Sequence, residues 1–332
     1  MQYTNEELKE KIEALKAKLD VTVVAHFYQR DEVFEIGDIT GDSLELATRT
    51  RDDDSEFVLF CGVGFMGQSV KVLSPHKRVV MPKIACCAMA KMIDGMMYDD
   101  AVKAMNEGGI ASENILPITY INSDAEVKAK VGEMGGLVCT SSNAKTIITT
   151  ALKEGKKILF VPDRCLGQNI ANQMGLKSCV IGDGSDLNES DIICFNGFCS
   201  VHQLFTLDDI AFYRKKYPGI LIVTHPECDP SICDASDFVG STSQLIKYIK
   251  ELPEEQKVAV GTEFNLVNRL RPKNTYVLSS TKPECPTMNE TTLEDVYVTL
   301  KAIDDGEPIN EITLDDNTQK WAKIALERMM AL

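Results

Sequence analysis

The chain has 332 residues, more than one hydrophobic core usually organises, so two or three domains are expected. Hydrophobic residues make up 44% of it, as in ordinary globular proteins. Against 35 basic residues stand 50 acidic ones, a net charge of −15, which argues against nucleic acid as a partner because phosphate backbones need a basic face. Small anionic substrates remain compatible, since an acidic protein can hold a locally positive pocket.

The N-terminal stretch through Leu19 reads as a charged amphipathic helix with Leu8, Ile12, Leu15 and Leu19 on one stripe. It has no apolar signal-peptide core, and no run in the chain has transmembrane length. A cytoplasmic protein with no membrane partner is the expectation. Beyond this helix, short Val- and Ile-rich runs alternate with helix-like stretches: VTVVAHF, EFVLFCGV, RVVMP, ILPITYI, GLVCT, KILFVPD, DIICF, GILIVTH, DFVGS, KVAVGTE and TYVLSS. Each is too short for a helix and closes on polar residues or Gly. They predict buried parallel strands joined by crossover helices, an α/β class.

The runs fall into three similar sets. Each has a strand ending in polar groups, a Ser-bearing helix start, a second strand and helix, and a strand that leads to a cysteine. The polar strand ends are His26-Phe27-Tyr28, Tyr120-Ile121-Asn122 and His225-Pro226-Glu227. The helix starts carry Ser43, then Ser141 and Ser142, then Ser241 and Thr242. Ser43 to Cys87 and Ser241 to Cys285 both span 44 residues; Ser141 to Cys199 spans 58 and includes the extra segment GLKSCVIGDGSDLNES. Any α/β chain can be cut into look-alike thirds, but equal spacing with a closing cysteine favours a true repeat. The expected architecture is three similar three-layer αβα domains with parallel sheets, in pseudo-threefold arrangement around a central cluster. Boundaries are expected at 1–110, 111–210 and 211–332, the C-terminal helices packing back on the first domain.

Eleven cysteines in a cytosolic chain call for something other than disulfides. Cys61, Cys139, Cys179 and Cys194 lie in or beside apolar runs and read as small buried hydrophobes. Cys228 and Cys233 form the nearest local pair, a weak signal, and no zinc-ribbon or ferredoxin spacing occurs. A metal site must therefore be assembled from distant segments. Parallel sheets gather functional loops at their carboxyl ends. Three repeats can thus bring one thiolate each to a cubane cluster whose fourth iron has no protein ligand. In the first repeat, Cys86 and Cys87 are equally eligible on chemistry alone.

Glu227 beside His225 suits a general acid/base, though an ordinary ion pair is the plainer alternative. The helix-start hydroxyls suit N-capping as well as binding of carboxylates or phosphates. His202, near Cys199 in NGFCSVH, can bind substrate or support its loop, the supporting role being the favoured one. CGVGFMG lacks the full nucleotide-binding fingerprint.

From about Val21 to Tyr297 the chain resembles the quinolinate synthase family. The resemblance is carried by AHFYQRDEVFEIGDITGDSLELA, FCGVGFMGQSVKVLSPHKRVVMP, CAMAKMI, YINSDAEVKA, CTSSNA, ILFVPDRCLGQNIA, NGFCSVHQLF, THPECDP, GSTSQLIKYI, GTEFNLVNRL and CPTMNETTLEDV. It implies one four-iron, four-sulfur cluster per chain on Cys87, Cys199 and Cys285, choosing Cys87 over Cys86. It implies condensation of iminoaspartate with dihydroxyacetone phosphate to quinolinate, phosphate and two waters. The cluster's open iron would act as Lewis acid for dehydration. Substrate-binding positions implied are His26, Tyr28, Ser43, Tyr120, Asn122, Ser141, His225, Glu227, Ser241 and Thr242. Glu227, Tyr28 and His225 are the expected catalytic groups, and a functional link to L-aspartate oxidase is implied. Departures from the family pattern are Phe27 for a second Tyr, Asn265 for an expected Gly, Cys86 beside a ligand, and a small loop insertion at GEMGG. Two rival readings exist: a radical iron–sulfur enzyme of the diphthamide type, and a cluster- or thiol-based redox sensor. The strand-end histidines disfavour the first, and the hydroxyls in all three repeats disfavour the second.

Overall fold

Val-Thr-Val-Val-Ala-His at 21–26 is buried without a break, as a strand covered on both faces must be. The computed structural model describes residues 3–153 and 155–332. Its class is α/β, with three separate parallel sheets flanked by helices.

The first sheet has the order β2-β1-β3-β4. Its segment of chain runs α1 (Asn5–Lys18), β1 (Val21–His26), α2 (Asp31–Phe34), β2 (Ile39–Gly41), α3 (Ser43–Arg51), β3 (Phe57–Cys61), α4 (Gly64–Leu73) and β4 (Arg78–Val80). The second has the order β6-β5-β7-β9-β8. It comprises α5 (Gly95–Glu107), β5 (Ile115–Tyr120), α6 (Ala125–Glu133), β6 (Leu137–Cys139), α7 (Ala144–Leu152), β7 (Lys157–Val161), α8 (Arg164–Met174), β8 (Ser178–Val180) and β9 (Ile192–Cys194). The third has the order β11-β10-β12-β13. It comprises α9 (Leu207–Lys216), β10 (Leu221–Thr224), α10 (Pro230–Asp234), β11 (Phe238–Val239), α11 (Thr242–Glu251), β12 (Val258–Gly261), α12 (Phe264–Leu270) and β13 (Thr275–Val277). Two helices follow, α13 (Leu293–Asp304) and α14 (Asp316–Met330).

Strands β2 and β8 escape the sequence pattern. β2 is three residues long and carries Thr40 and Gly41, so it shows no apolar run; pairing with β1 alone makes it a strand. β8 arises within the extra segment of the second repeat and adds a fifth strand beside β9.

The repeat is visible at the level of single hydrogen bonds. Asp38 accepts from Val23 N at 2.9 Å through its side chain, while its own N–H donates to Val23 O at 2.8 Å. Asp237 does the same with Ile222, at 2.7 and 2.8 Å. In both sheets an aspartate thus closes the turn between the first strand and its edge neighbour. The GEMGG stretch spans the end of a helix, Gly132 and Glu133 belonging to α6. Gly135 turns the chain with φ +87°, and a Cβ on Gly136 would stand 2.1 Å from Pro117 O.

The described residues form two compact units. The first comprises residues 3–87 and 285–320, the second 88–284 and 321–332, with residue 154 outside the description. In the first unit, Leu8 and Ile12 of α1 and Leu293, Val296 and Leu300 of α13 pack with Val21, Val23 and Leu59 in one core. A capping box at Thr4 and Glu7 begins α1. In the second unit, one core joins Tyr98, Met105, Val127 and Val131 to Leu159 and Ile193; another joins Ile210 and Ile232 to Ile222 and Ala259. Arg328 of α14 donates to the carbonyls of Gly132 and Gly136 in that unit, at 2.9 and 2.8 Å. Among the described residues, no helix is long and apolar enough to cross a membrane.

Candidate active site at the strand ends

One backbone hydrogen bond recurs in all three repeats. Gly64 N donates to Ala85 O at 2.8 Å, Arg164 N to Gly197 O at 2.9 Å, and Phe264 N to Pro283 O at 2.9 Å. Each bond ties the first turn of the repeat's second helix to the loop beyond its last strand. In each case the residue two positions after the anchored carbonyl is a cysteine: Cys87, Cys199 and Cys285. Cys86 falls outside this register.

Burial separates the same three from the rest. Cys87, Cys199 and Cys285 are half-buried, Cys86 is exposed, and the other seven are buried. Burial pushes the thiols of Cys165 and Cys233 up to about 12, and those of Cys61, Cys139, Cys179, Cys194 and Cys228 upward too. A buried thiol held neutral is a poor metal ligand. Cys87, Cys199 and Cys285 escape that burial, and thiolates are the groups that hold iron–sulfur clusters. In the first unit, Cys87 and Cys285 are the residues at which the unit ends and resumes. The Cys285 thiol lies 3.4 Å from Thr287 Oγ1.

The histidine strand ends are built alike. His26 Nδ1 accepts from Tyr28 N at 3.1 Å, and His225 Nδ1 accepts from Glu227 N at 3.3 Å. In each, the ring nitrogen replaces a carbonyl in turning the chain, so the imidazole is locked over the end of its strand. His26 is buried and Tyr28 half-buried, their rings meeting edge to face at 4.8 Å.

The helix-start hydroxyls do not share one role. Ser241 is a true cap, with a capping box to Gln244, and Thr242 follows as the first helical residue. Ser43 is also a first helical residue, but Asp42 caps α3 by accepting from Leu44 N and Glu45 N. Ser141 lies in the turn before α7, where Asn143 Oδ1 accepts from Thr140 N at 2.7 Å. Asn122 is half-buried in the loop after β5. That loop is held by Lys128, whose buried ammonium donates to Ile121 O at 2.7 Å and to Ser123 O. Burial presses this ammonium down to about 7, with Asp124 opposing.

Glu227 is the centre of the second unit's polar cluster, only 3% exposed. Tyr120 Oη donates to Glu227 Oε1 at 2.7 Å. His202 Nδ1 lies 2.9 Å from Glu227 Oε2, at ion-pair range but out of line for a straight hydrogen bond. His225 Nδ1 lies 4.0 Å from Oε1. The two imidazoles stack at 4.7 Å, and His202 Nε2 meets Thr262 Oγ1 at 3.1 Å. Burial opposes ionisation of Glu227, but the imidazoles, His202 before His225, and the Tyr120 phenol outweigh it and hold the carboxyl well below its usual range. A ligand atom from each of Cys199, His202 and Glu227 lies within 4.8 Å of the others.

A second buried carboxyl accompanies the first. Asp163 caps α8, with Oδ1 accepting from Cys165 N and Leu166 N, while Oδ2 has no hydrogen-bond partner among the described residues. Burial and then the charge on Glu227 raise the Asp163 carboxyl, the direction expected when two carboxyls share one dry region.

The quinolinate synthetase A protein family model matches residues 10–331. The chain belongs to the quinolinate synthetase A family. A quinolinate synthase of Helicobacter pylori (strain HPAG1) is 53% identical to it, over 99% of both chains. One of Streptomyces coelicolor is 39% identical over 96% of this chain and 86% of its own. A third, of Geobacillus sp. (strain WCH70), is 36% identical over 98% and 94%. Members of the quinolinate synthetase A family are enzymes, and this one gathers buried polar side chains around Glu227.

Sequence reasoning places Tyr120 among the implied substrate contacts and Tyr28, with Glu227 and His225, among the expected catalytic groups. In the structure, the phenol hydrogen-bonded to Glu227 is Tyr120. It also ranked His202 as a loop support, although its ring lies against both His225 and Glu227. The signal available was position: His202 follows a candidate ligand by three residues, one turn of helix. Asp163 and Asn169 passed unnoticed inside ILFVPDRCLGQNIA, where an aspartate before a helix reads as an ordinary cap.

Proposed function

We propose that this protein is a quinolinate synthase, condensing iminoaspartate with dihydroxyacetone phosphate to quinolinate, phosphate and two waters. The observation that carries the reading is the buried Tyr120–Glu227–His202 arrangement beside Cys199. It pairs an ionised carboxylate with a phenol donor next to a candidate cluster ligand. Cys87, Cys199 and Cys285 would hold one four-iron, four-sulfur cluster. When bound, the group supplies a Lewis acid for removal of hydroxyl groups.

The protein's own residues do the remaining work in this reading. Glu227, kept ionised, takes a substrate proton, and Tyr120 on Oε1 relays it or donates in its turn. His225 has its Nδ1 committed to the turn, so it meets substrate through Nε2. His26 is locked the same way and presents the same nitrogen. Ser43, Ser141, Ser241 and Thr242 supply hydroxyls at or near helix starts, suited to carboxylate and phosphate groups. Tyr28 and Asn122 complete the substrate contacts. A cytoplasmic setting and a functional link to L-aspartate oxidase belong to the same reading.

The test is reconstitution under anaerobic conditions. About four irons and four sulfides per chain, with quinolinate formed from the two substrates, is the expected result. Fully loaded protein that forms no quinolinate would overturn the reading. The 4.8 Å grouping of Cys199, His202 and Glu227 also suits a single divalent ion. One metal per chain without sulfide would favour that second reading.

A further inference from the structure

The main chain beneath Glu227 is held in an unusual way. Asn169 Nδ2 donates to both Pro226 O and Cys228 O, each at 2.8 Å. Gln203 Nε2 donates to Glu227 O at 3.2 Å. Three successive carbonyls, on either side of Glu227 and at Glu227 itself, are thus each met by a side-chain amide, that of Cys228 also accepting from Cys233 Sγ at 3.7 Å. Asn169 is buried, and uses both hydrogens of one amide group for the purpose.

Both amides are tied to groups that matter for the site. Asn169 stands on α8, whose first turn is fixed by the buried cap Asp163 and by the Arg164 N to Gly197 O bond. Gln203 directly follows His202, and its Nε2 also lies 3.5 Å from Cys165 Sγ on α8. One helix therefore sets the backbone of Glu227 and the loop that carries Cys199 and His202. The arrangement does not come from the repeat. The position equivalent to Asn169 in the first repeat is Ser69, whose hydroxyl donates within its own helix to Phe65 O at 2.8 Å.

We propose that Asn169 and Gln203 form an amide clamp, positioning residues that fix the Glu227 carboxylate against Tyr120 and His202. This inference rests on the quinolinate synthase reading. Without the clamp, Pro226 O and Glu227 O lose these amide donors, Cys228 O keeps only the weak Cys233 thiol, and the 226–228 peptide is free to shift. A displacement of about 1 Å at a reacting group is enough to cost on the order of 100-fold in rate. Substrate contacts made by other residues stay in place, so the loss falls on kcat rather than KM.

The test uses side chains that keep the volume and remove the donors. Asn169→Leu and Gln203→Met in reconstituted holoenzyme are compared with the unaltered protein for kcat, KM, cluster absorbance and thermal midpoint. Asn169→Leu is expected to lower kcat by about 100-fold and Gln203→Met by about 10-fold, with KM within about threefold and the cluster retained. Should Asn169→Leu fail to fold, Gln203→Met decides on the same criterion, because Gln203 is only half-buried. Unchanged kcat in the folded variant, or a loss matched by lost cluster, overturns the clamp. Unaltered holoenzyme that forms no quinolinate overturns the functional reading instead, so the two failures are separable.

Discussion

Tyr120, at the end of β5, donates its phenolic hydrogen to Glu227, at the end of β10, across 2.7 Å. Two repeats of the fold are joined there by a buried, charge-assisted hydrogen bond. The pair combines a donor with a carboxylate kept ionised, which is the minimum equipment for moving a proton both ways.

Tyr120→Phe leaves the ring and removes the donor. Quinolinate formation should fall by about 100-fold, the scale of a lost acid–base group. The thermal midpoint should fall by only a few degrees, since a buried carboxylate loses one donor but keeps His202 and His225 beside it. Steady-state rates and a melting curve on the same sample check this; near-normal kcat would remove Tyr120 from the proton path.

Cluster content should sort the cysteines by burial. Serine at Cys87, Cys199 or Cys285 should each abolish the cluster's visible absorbance, whereas Cys61→Ser and Cys86→Ser should keep it. Iron and sulfide assays on anaerobically purified variants are the measurement. Chelation of the intact protein should remove activity and absorbance together.

Asp163 makes a pH prediction with a definite sign. Its folded carboxyl is raised, so between about pH 4 and that raised value the folded state binds the extra proton. Stability from this group falls as pH rises through that window. Asp163→Asn keeps an oxygen for capping α8 and carries no titrating proton. Its stability relative to the unaltered protein should therefore improve steadily as pH rises above about 4, read from denaturant midpoints across pH. A parallel pair of curves would show that Asp163 does not titrate as described.

Lys128 carries the opposite sign. Its ammonium is pressed down to about 7, so the unfolded chain binds the extra proton between about 7 and about 10.4. The cost of burying this cation is full below about pH 7 and is relieved as pH rises to about 10.4. Lys128→Met removes that cost but strands the carbonyls of Ile121 and Ser123. The stability of Lys128→Met relative to the unaltered protein should therefore fall as pH rises from about 7 to about 10.4, since only the lysine's cost is relieved there. Chemical denaturation measures it.

Much of the fold was legible because buried parallel strands announce themselves as unbroken apolar runs. β1, β5 and β7 are of that kind. β2 and β8 were not legible, because three-residue edge strands owe their existence to a neighbour. The equal spacing from Ser43 to Cys87 and from Ser241 to Cys285 anticipated the matching Asp38 and Asp237 turns. At the site, residue types at strand ends identified Glu227, His225 and Tyr120. Which phenol meets the carboxylate could not be read, because that depends on how two strands are brought together. Asn169 was invisible for a related reason: its partners are main-chain carbonyls, and a carbonyl leaves no mark in a sequence.

The core of the first unit draws on both ends of the chain, Leu8 and Ile12 at one and Leu293, Val296 and Leu300 at the other. A chain leaving the ribosome delivers the first group about 280 residues before the second. Through most of translation the surfaces of Val21, Val23 and Leu59 that these helices share lack part of their cover. The first-made part of this unit thus waits for its own last-made part before its core can close, and Cys285 is made only as that closure begins. Cells that halt synthesis early would hold chains with an exposed apolar sheet, a natural substrate for chaperones.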